Sequence, residues 1–385
     1  MLLKIFNTLN FIVNSEWHFN TPPRKNIVIY DSLRSESLVK YFNKNSIFIL
    51  RCRRETLVWK IFIKSIILDG FNWKYFESYI ILLLKEVKPK YIFSLLDNDP
   101  KLYQLKFFLP NSKVISIQNG YRGYKKDIFN IVKKIKNPKK KFRIDKLFVF
   151  NKSIGLLYKK FLDCNPVEIG SFRNNSLIFK KKKENNQLLF ISEYKDKNQF
   201  NSDKEFNNFF KAEKLLIPFL YNYCKKNKIK FVICGRSNAQ NELNFYKKLI
   251  PNNDWKFLEK TNSYSSYKFI NSSKIIVFIS STLGYEAMAR NKKIAAFTIR
   301  SNYSKLINHR FGWPIKFSNK GFFWTNKPNI KEFEKILEYL NLTKNGNYIK
   351  RISKVNSKIL KFDKNNQIFL KYIKKIGINK NELSL

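Results

Sequence analysis

Apolar residues in this chain fall into short runs separated by stretches of helical spacing, and the alternation occurs twice along the sequence. Asn26 to Asp31, Ser46 to Cys52, Tyr91 to Leu96, Lys113 to Gln118 and Lys146 to Phe150 are short and rich in β-branched and aromatic residues, so they predict strands. Between them, Ser35 to Phe42, Tyr75 to Val87, Leu102 to Phe108 and Ile154 to Leu162 predict helices, with Ser35 a suitable N-cap and Pro89 a natural stop. Val167 to Ser171 is the last predicted strand of this half. Buried strands alternating with helices argue for parallel sheets built from βαβ units.

Phe179 to Gln187 is charged, polar and aperiodic, and reads as a linker. The series then restarts with strands at Leu188 to Ser192, Lys230 to Cys234, Trp255 to Leu258, Lys274 to Ile279 and Lys293 to Thr298. Helices are predicted at Phe209 to Lys226, with a kink at Pro218, and at Asn241 to Leu249, Ser265 to Asn271, Leu283 to Arg290 and Ile330 to Leu340. The expected fold is therefore α/β, with two Rossmann-like domains facing across a cleft. The first covers residues 1–178 and the second 188–343, and residues 344–385 form a basic, partly helical tail. Open parallel sheets bind ligands beyond the carboxyl ends of their strands, which makes the polar residues there the ones to inspect.

Composition changes this picture at one point. Seventy-five Lys and Arg against 28 Asp and Glu give a net charge of +47. The lysines are spread along the chain, and Lys, Asn, Ile, Phe and Tyr, the residues of AT-rich codons, are all abundant. Codon bias on solvated faces, attraction to anionic lipid and nucleic-acid binding all remain open, in that order of preference. The four cysteines (Cys52, Cys164, Cys224 and Cys234) form no CxxC, and the two histidines are His18 and His309, so no zinc or other metal site is expected. Without a signal peptide or an apolar run long enough to span a bilayer, the expected place is the cytoplasm, peripheral at most to the inner face of the membrane.

The strongest chemical signal is Ile275 to Arg290, where an apolar strand stops at Ser280-Ser281-Thr282 and a helix starts at once. Free N–H groups and hydroxyls at a helix N-terminus suit a phosphate, and Glu286, one turn on, could accept from ribose hydroxyls. The plainer alternative is a helix cap with an acid offsetting the dipole. Arg236, after the strand KFVIC, could grip a diphosphate or carboxylate or be a surface arginine in a turn, and Glu193, after LLFIS, could bind a sugar hydroxyl or pair with a lysine.

In the first half, Asp31, Asp97-Asn98-Asp99 and Gln118-Asn119-Gly120 stand at strand ends. A hydroxyl acceptor loses a proton as it attacks, so a carboxylate base would be expected there: Asp97 first, then Asp31, although Asp97 is equally well placed as an N-cap. Gln118, Asn119 and Arg122 are candidate substrate-binding residues. Asp97 and Asp99 have DxD spacing but precede a helix, and are not read as a metal clamp. His309 is a weak candidate. Phe311-Gly312-Trp313-Pro314 and Gly321-Phe322-Phe323-Trp324 form either a loop over the cleft or a buried aromatic plug.

Taken together, Tyr30-Asp31, Ser35-Glu36-Ser37, Asp97-Asn98, Ile117 to Gly120, Ser281 to Ala287 and Phe311 to Pro314 resemble transferases of bacterial surface-carbohydrate biosynthesis, over most of Asn26 to Asn341. The second half is similar more broadly to GT-B glycosyltransferases, in which the Ser/Thr motif and the glutamate after it hold the donor nucleotide. The resemblance implies a nucleotide-sugar donor, a glycan or lipid-linked acceptor and no metal cofactor. Alternatives are a nucleotide-sugar epimerase on the same plan, a polyol-phosphate transferase, which favours catalytic histidines, and a basic nucleic-acid-binding protein. The regular α/β pattern argues against the last.

Overall fold

The computed structural model describes residues 12–33, 35–51, 56–69, 75–124, 127–179, 184–236, 240–306 and 310–384. The chain divides into two compact α/β units. The first comprises residues up to Asn119, Ile128–Ser176 and Asn366 onward; the second comprises Gly120–Asp127 and Leu177–Asn365.

The first unit contains a six-stranded sheet of β1 (Ile27–Tyr30), β2 (Ile47–Leu50), β3 (Tyr91–Ser94), β4 (Lys113–Ile117), β5 (Lys146–Val149) and β6 (Pro166–Glu168), in the order β2-β1-β3-β4-β5-β6. All its pairings are parallel. β1 and β3 are buried along their whole length, as strands covered on both faces must be. A separate two-stranded parallel pair, Glu16–His18 with Thr56–Val58, was not predicted from the sequence, nor was the helix Trp59–Asp69.

The second unit has β7 (Asn185–Ile191), β8 (Lys230–Cys234), β9 (Lys256–Leu258), β10 (Ser273–Phe278), β11 (Lys293–Phe297) and β12 (Trp324–Thr325). Their order, β9-β8-β7-β10-β11-β12, is that of a dinucleotide-type Rossmann sheet, again parallel throughout. β7 begins inside the expected linker. The helix Asp203–Lys226 starts a turn and a half earlier than expected, because Ser202 accepts from the Glu205 N–H as its N-cap, and it runs on through Pro218.

The last forty residues are shared between the units rather than forming a separate tail. Helix Asn345–Ile359 belongs to the second unit, where the Ile294 N–H donates to the Tyr348 hydroxyl and Asn356 donates to the Met288 carbonyl. Helix Gln367–Lys375 belongs to the first, where Phe369 packs edge-on against Phe93, Phe148 and Phe172. The buried Phe369 and Ile373 lie on one face at helical spacing, and basic residues cover the other.

Candidate functional site

In the second unit the strand order reverses between β7 and β10, which opens a crevice at their carboxyl ends. Glu193 follows β7 and Ser280 follows β10, and the two meet there. Glu193 accepts from the Ser280 N–H at 2.8 Å and from its hydroxyl at 2.9 Å. Ser281 caps the helix Thr282–Ala289 by accepting from the Leu283 N–H at 3.3 Å, and Thr282 Oγ1 accepts from the Tyr121 N–H at 2.9 Å. Each hydroxyl of the triplet therefore has an internal partner, which fixes the shape of the turn.

Behind this turn lies a buried charged network. Arg300, 1% exposed, follows β11 and reaches Glu193 at 3.4 Å, the Ser280 hydroxyl at 3.2 Å and the Glu213 carboxylate. Its guanidinium lies 4.1 Å from the centre of the Phe209 ring. Charges this deep persist only when paired and hydrogen-bonded. Burial alone would raise the Glu193 carboxyl, but Arg300, both Ser280 donors and Arg236 outweigh it and hold Glu193 below the ordinary carboxylate value. Glu213 differs: burial outweighs its pairing with Arg300, Glu193 adds like-charge repulsion, and its carboxyl is pushed up to about 7. Tyr124 donates to Glu193 at 3.3 Å, and Lys195 Nζ sits 5.0 Å from the Tyr124 ring centre. Burial, reinforced by Arg236, lowers the Lys195 ammonium.

Arg236 is exposed. Its N–H donates to both carboxylate oxygens of the buried Glu242, at 2.9 and 3.2 Å, and its guanidinium donates to the Tyr194 carbonyl at 3.0 Å. Glu286 is buried and accepts from the Tyr267 hydroxyl at 2.8 Å. Thus β7, β8 and β10 bring Glu193, Arg236 and the Ser280–Thr282 turn to one end of the sheet. Arg122 lies in this unit with Gly120–Asp127, although that segment follows β4 of the first sheet. The Tyr121 ring stacks on Tyr285 with centroids 4.1 Å apart, and this, with the Thr282 and Glu193 contacts, holds the segment here. The aromatic segments form a plug: Phe311 stacks on Trp324 at 4.8 Å and meets Phe323 edge-on. His309 lies outside the described residues.

In the first unit the order reverses between β1 and β3. Asp31 follows β1 in a left-handed conformation, with φ 77°, and accepts from the Leu33 N–H at 3.1 Å. Asp97 is fully buried. Its two carboxylate oxygens accept from the Asn119 N–H at 3.0 Å and the Tyr158 hydroxyl at 2.5 Å. The helix Pro100–Phe108 is capped by Asp99, not Asp97. Burial pushes the Asp99 carboxyl up, hydrogen bonds from the Lys101 N–H and the Tyr30 hydroxyl oppose that, and the nearby Asp31 charge adds to it. Gln118 is buried and accepts from the Phe150 N–H at 2.8 Å. With Asn119, Ser37, Ser171 and Arg173 it lines a cavity of about 90 Å³.

Sequence reasoning passed over Arg300, Glu213 and Tyr124. Glu213 carried a legible signal, since it falls on the apolar face shared by Phe209, Leu216 and Leu220 of its helix. Arg300 follows a strand as Arg236 does, but nothing local marks it.

Residues 115–377 match a protein family described as "putative O-antigen biosynthesis protein". No curated protein matches the chain in sequence. Among solved structures, a "putative UDP-N-acetylglucosamine 2-epimerase" from Listeria monocytogenes aligns with TM-score 0.56 at 10% identity, over 92% of this chain and 96% of its own. UDP-GlcNAc 2-epimerases from Methanocaldococcus jannaschii (TM-score 0.52, 11% identity) and Neisseria meningitidis (0.51, 10%) each align over 91% of this chain and 99% of their own. At these identities the likeness is one of fold, the two-domain GT-B-type architecture.

Proposed function

The chain belongs to this O-antigen biosynthesis family, and from that premise we propose that it transfers a sugar from a nucleotide-sugar donor to a surface-glycan or lipid-linked acceptor without a metal ion. The observation that carries the reading is the convergence of Glu193, Arg236 and the Ser280–Thr282 turn at the strand-order reversal of the second sheet. Ligands of open α/β sheets bind at that place. Because the three hydroxyls already have partners, a donor diphosphate would be held by helix N–H groups and the Arg236 guanidinium. Glu286, oriented by Tyr267, would accept from ribose hydroxyls. Helix N–H groups and arginine would stabilise the charge that builds on the leaving phosphate.

We assign the general base to Asp31 and a structural role to Asp97. Asp97 gives both carboxylate oxygens to Asn119 and Tyr158, whereas Asp31 stands at the strand end beside Asp99.

UDP-GlcNAc is the first donor to try, because the Methanocaldococcus and Neisseria proteins were both captured with it. Incubated with donor and a glycan acceptor, the wild type should release UDP only when acceptor is present. Asp31→Asn should slow release about 100-fold with an unchanged melting temperature. Asp97→Asn should instead lower stability by about 1–3 kcal/mol through loss of its buried hydrogen bonding. Conversion of the donor sugar to its C2 epimer without acceptor would replace the transferase reading with an epimerase.

A further inference from the structure

The first unit carries a groove that the transfer chemistry does not use. Its volume is about 350 Å³, with Ile80, Ile81, Leu105, Phe107 and Phe108 on its apolar side and Lys101, Lys140 and Lys141 among its lining; among the described residues no acid lines it. Phe107 and Phe108 remain 51% and 47% exposed. The groove's lysines belong to a longer basic segment: from 128 to 144 the chain has no acid, and Lys133, Lys134, Lys136, Lys139, Lys140 and Lys141 are all exposed.

We infer that this face docks on an anionic lipid bilayer. Exposed aromatic side chains beside a lysine cluster combine the two attractions that hold a protein at such a surface, burial of apolar area in the headgroup–acyl boundary and pairing of ammonium groups with lipid phosphates. A nucleic-acid backbone would use the lysines but has no use for the Ile80, Ile81 and Leu105 floor, whereas acyl chains do. The net charge of +47 does not by itself select this face; the coincidence of apolar groove and lysine cluster does. The inference goes beyond the transfer reaction, and nucleotide binding is not its readout.

The test is flotation of the full chain with vesicles of phosphatidylcholine, alone or mixed with phosphatidylglycerol. Binding is expected to the mixed vesicles and to weaken with salt. Lys139→Gln/Lys140→Gln/Lys141→Gln and Phe107→Ser/Phe108→Ser should each weaken it roughly tenfold. Lys350→Gln/Lys354→Gln/Lys358→Gln, the same charge change on an exposed helix of the second unit, should leave it unchanged. All variants should keep the wild-type melting temperature and its response to nucleotide. Equal loss in both lysine triples would reduce the effect to net charge and overturn the inference. So would an absence of vesicle binding, or an RNA affinity lost only in the Lys139–Lys141 variant.

Discussion

At the scale of single residues, the second unit spends charge where hydrocarbon would pack more cheaply. Arg300 serves two glutamates, and their carboxyls move in opposite directions, Glu193 down and Glu213 up. Glu193 has the donors of Ser280 as well as the guanidinium, whereas Glu213 Oε2 is buried with no hydrogen-bond partner. The pH consequence follows from the sign. A carboxyl that titrates near 7 when folded and near its ordinary ~4.3 when unfolded holds its proton more tightly in the folded chain. Raising the pH between those values therefore removes stability, by up to about 3 kcal/mol. Denaturant melts from pH 4.5 to 7.5 should show this decline in the wild type and a flatter profile in Glu213→Gln. An equally steep decline in the variant would place the titrating group elsewhere.

Elements were largely legible because the signals that specify them are local. The runs read as strands became β1 to β11, and the helix after Ser281 starts where its cap residue sits. The helix Trp59–Asp69 was missed because its apolar residues run nearly all round, so no stripe marks it. β12 is two residues long, below any periodic signal. The site was legible as strand ends and opaque as a network, since the pairing of Arg300 with Glu213 depends on residues 87 apart. Asp97 shows the same limit: by sequence it fits an N-cap, but Asn119 and Tyr158 donate to its buried carboxylate and Asp99 caps the helix instead. One local choice matters for the whole motif. A Cβ on Gly284 would lie 2.1 Å from the Phe278 ring, so helix and strand pack this closely only with glycine there. Gly284→Ala should destabilise the protein by about 1–3 kcal/mol despite its better helix propensity, as a thermal or denaturant melt would register. A gain in stability would mean that the junction relaxes freely.

At the scale of the whole chain, sequence order and structural unit diverge. Gly120–Asp127 leaves the first series for the second unit, and the last helix returns to the first. A chain divided at the apparent linker would take Phe369 away from Phe93, Phe148 and Phe172, its aromatic partners in the first unit. Charge behaves likewise, spread along the sequence yet set against apolar surface at the Phe107–Phe108 groove. No helix among the described residues is long and apolar enough to cross a membrane.

The proposed transfer depends on nucleotide-sugar binding by the second unit, at the strand-order reversal marked by Ser280 to Thr282. Thermal shift with UDP-, GDP-, CMP- and dTDP-linked sugars tests it most directly, comparing the wild type with Arg236→Ala and with Ser281→Ala/Glu286→Ala. At least one nucleotide sugar should raise the wild-type melting temperature in a concentration-dependent way, and both variants should lose most of that rise. No response to any nucleotide, or an equal response in wild type and variants, would contradict it.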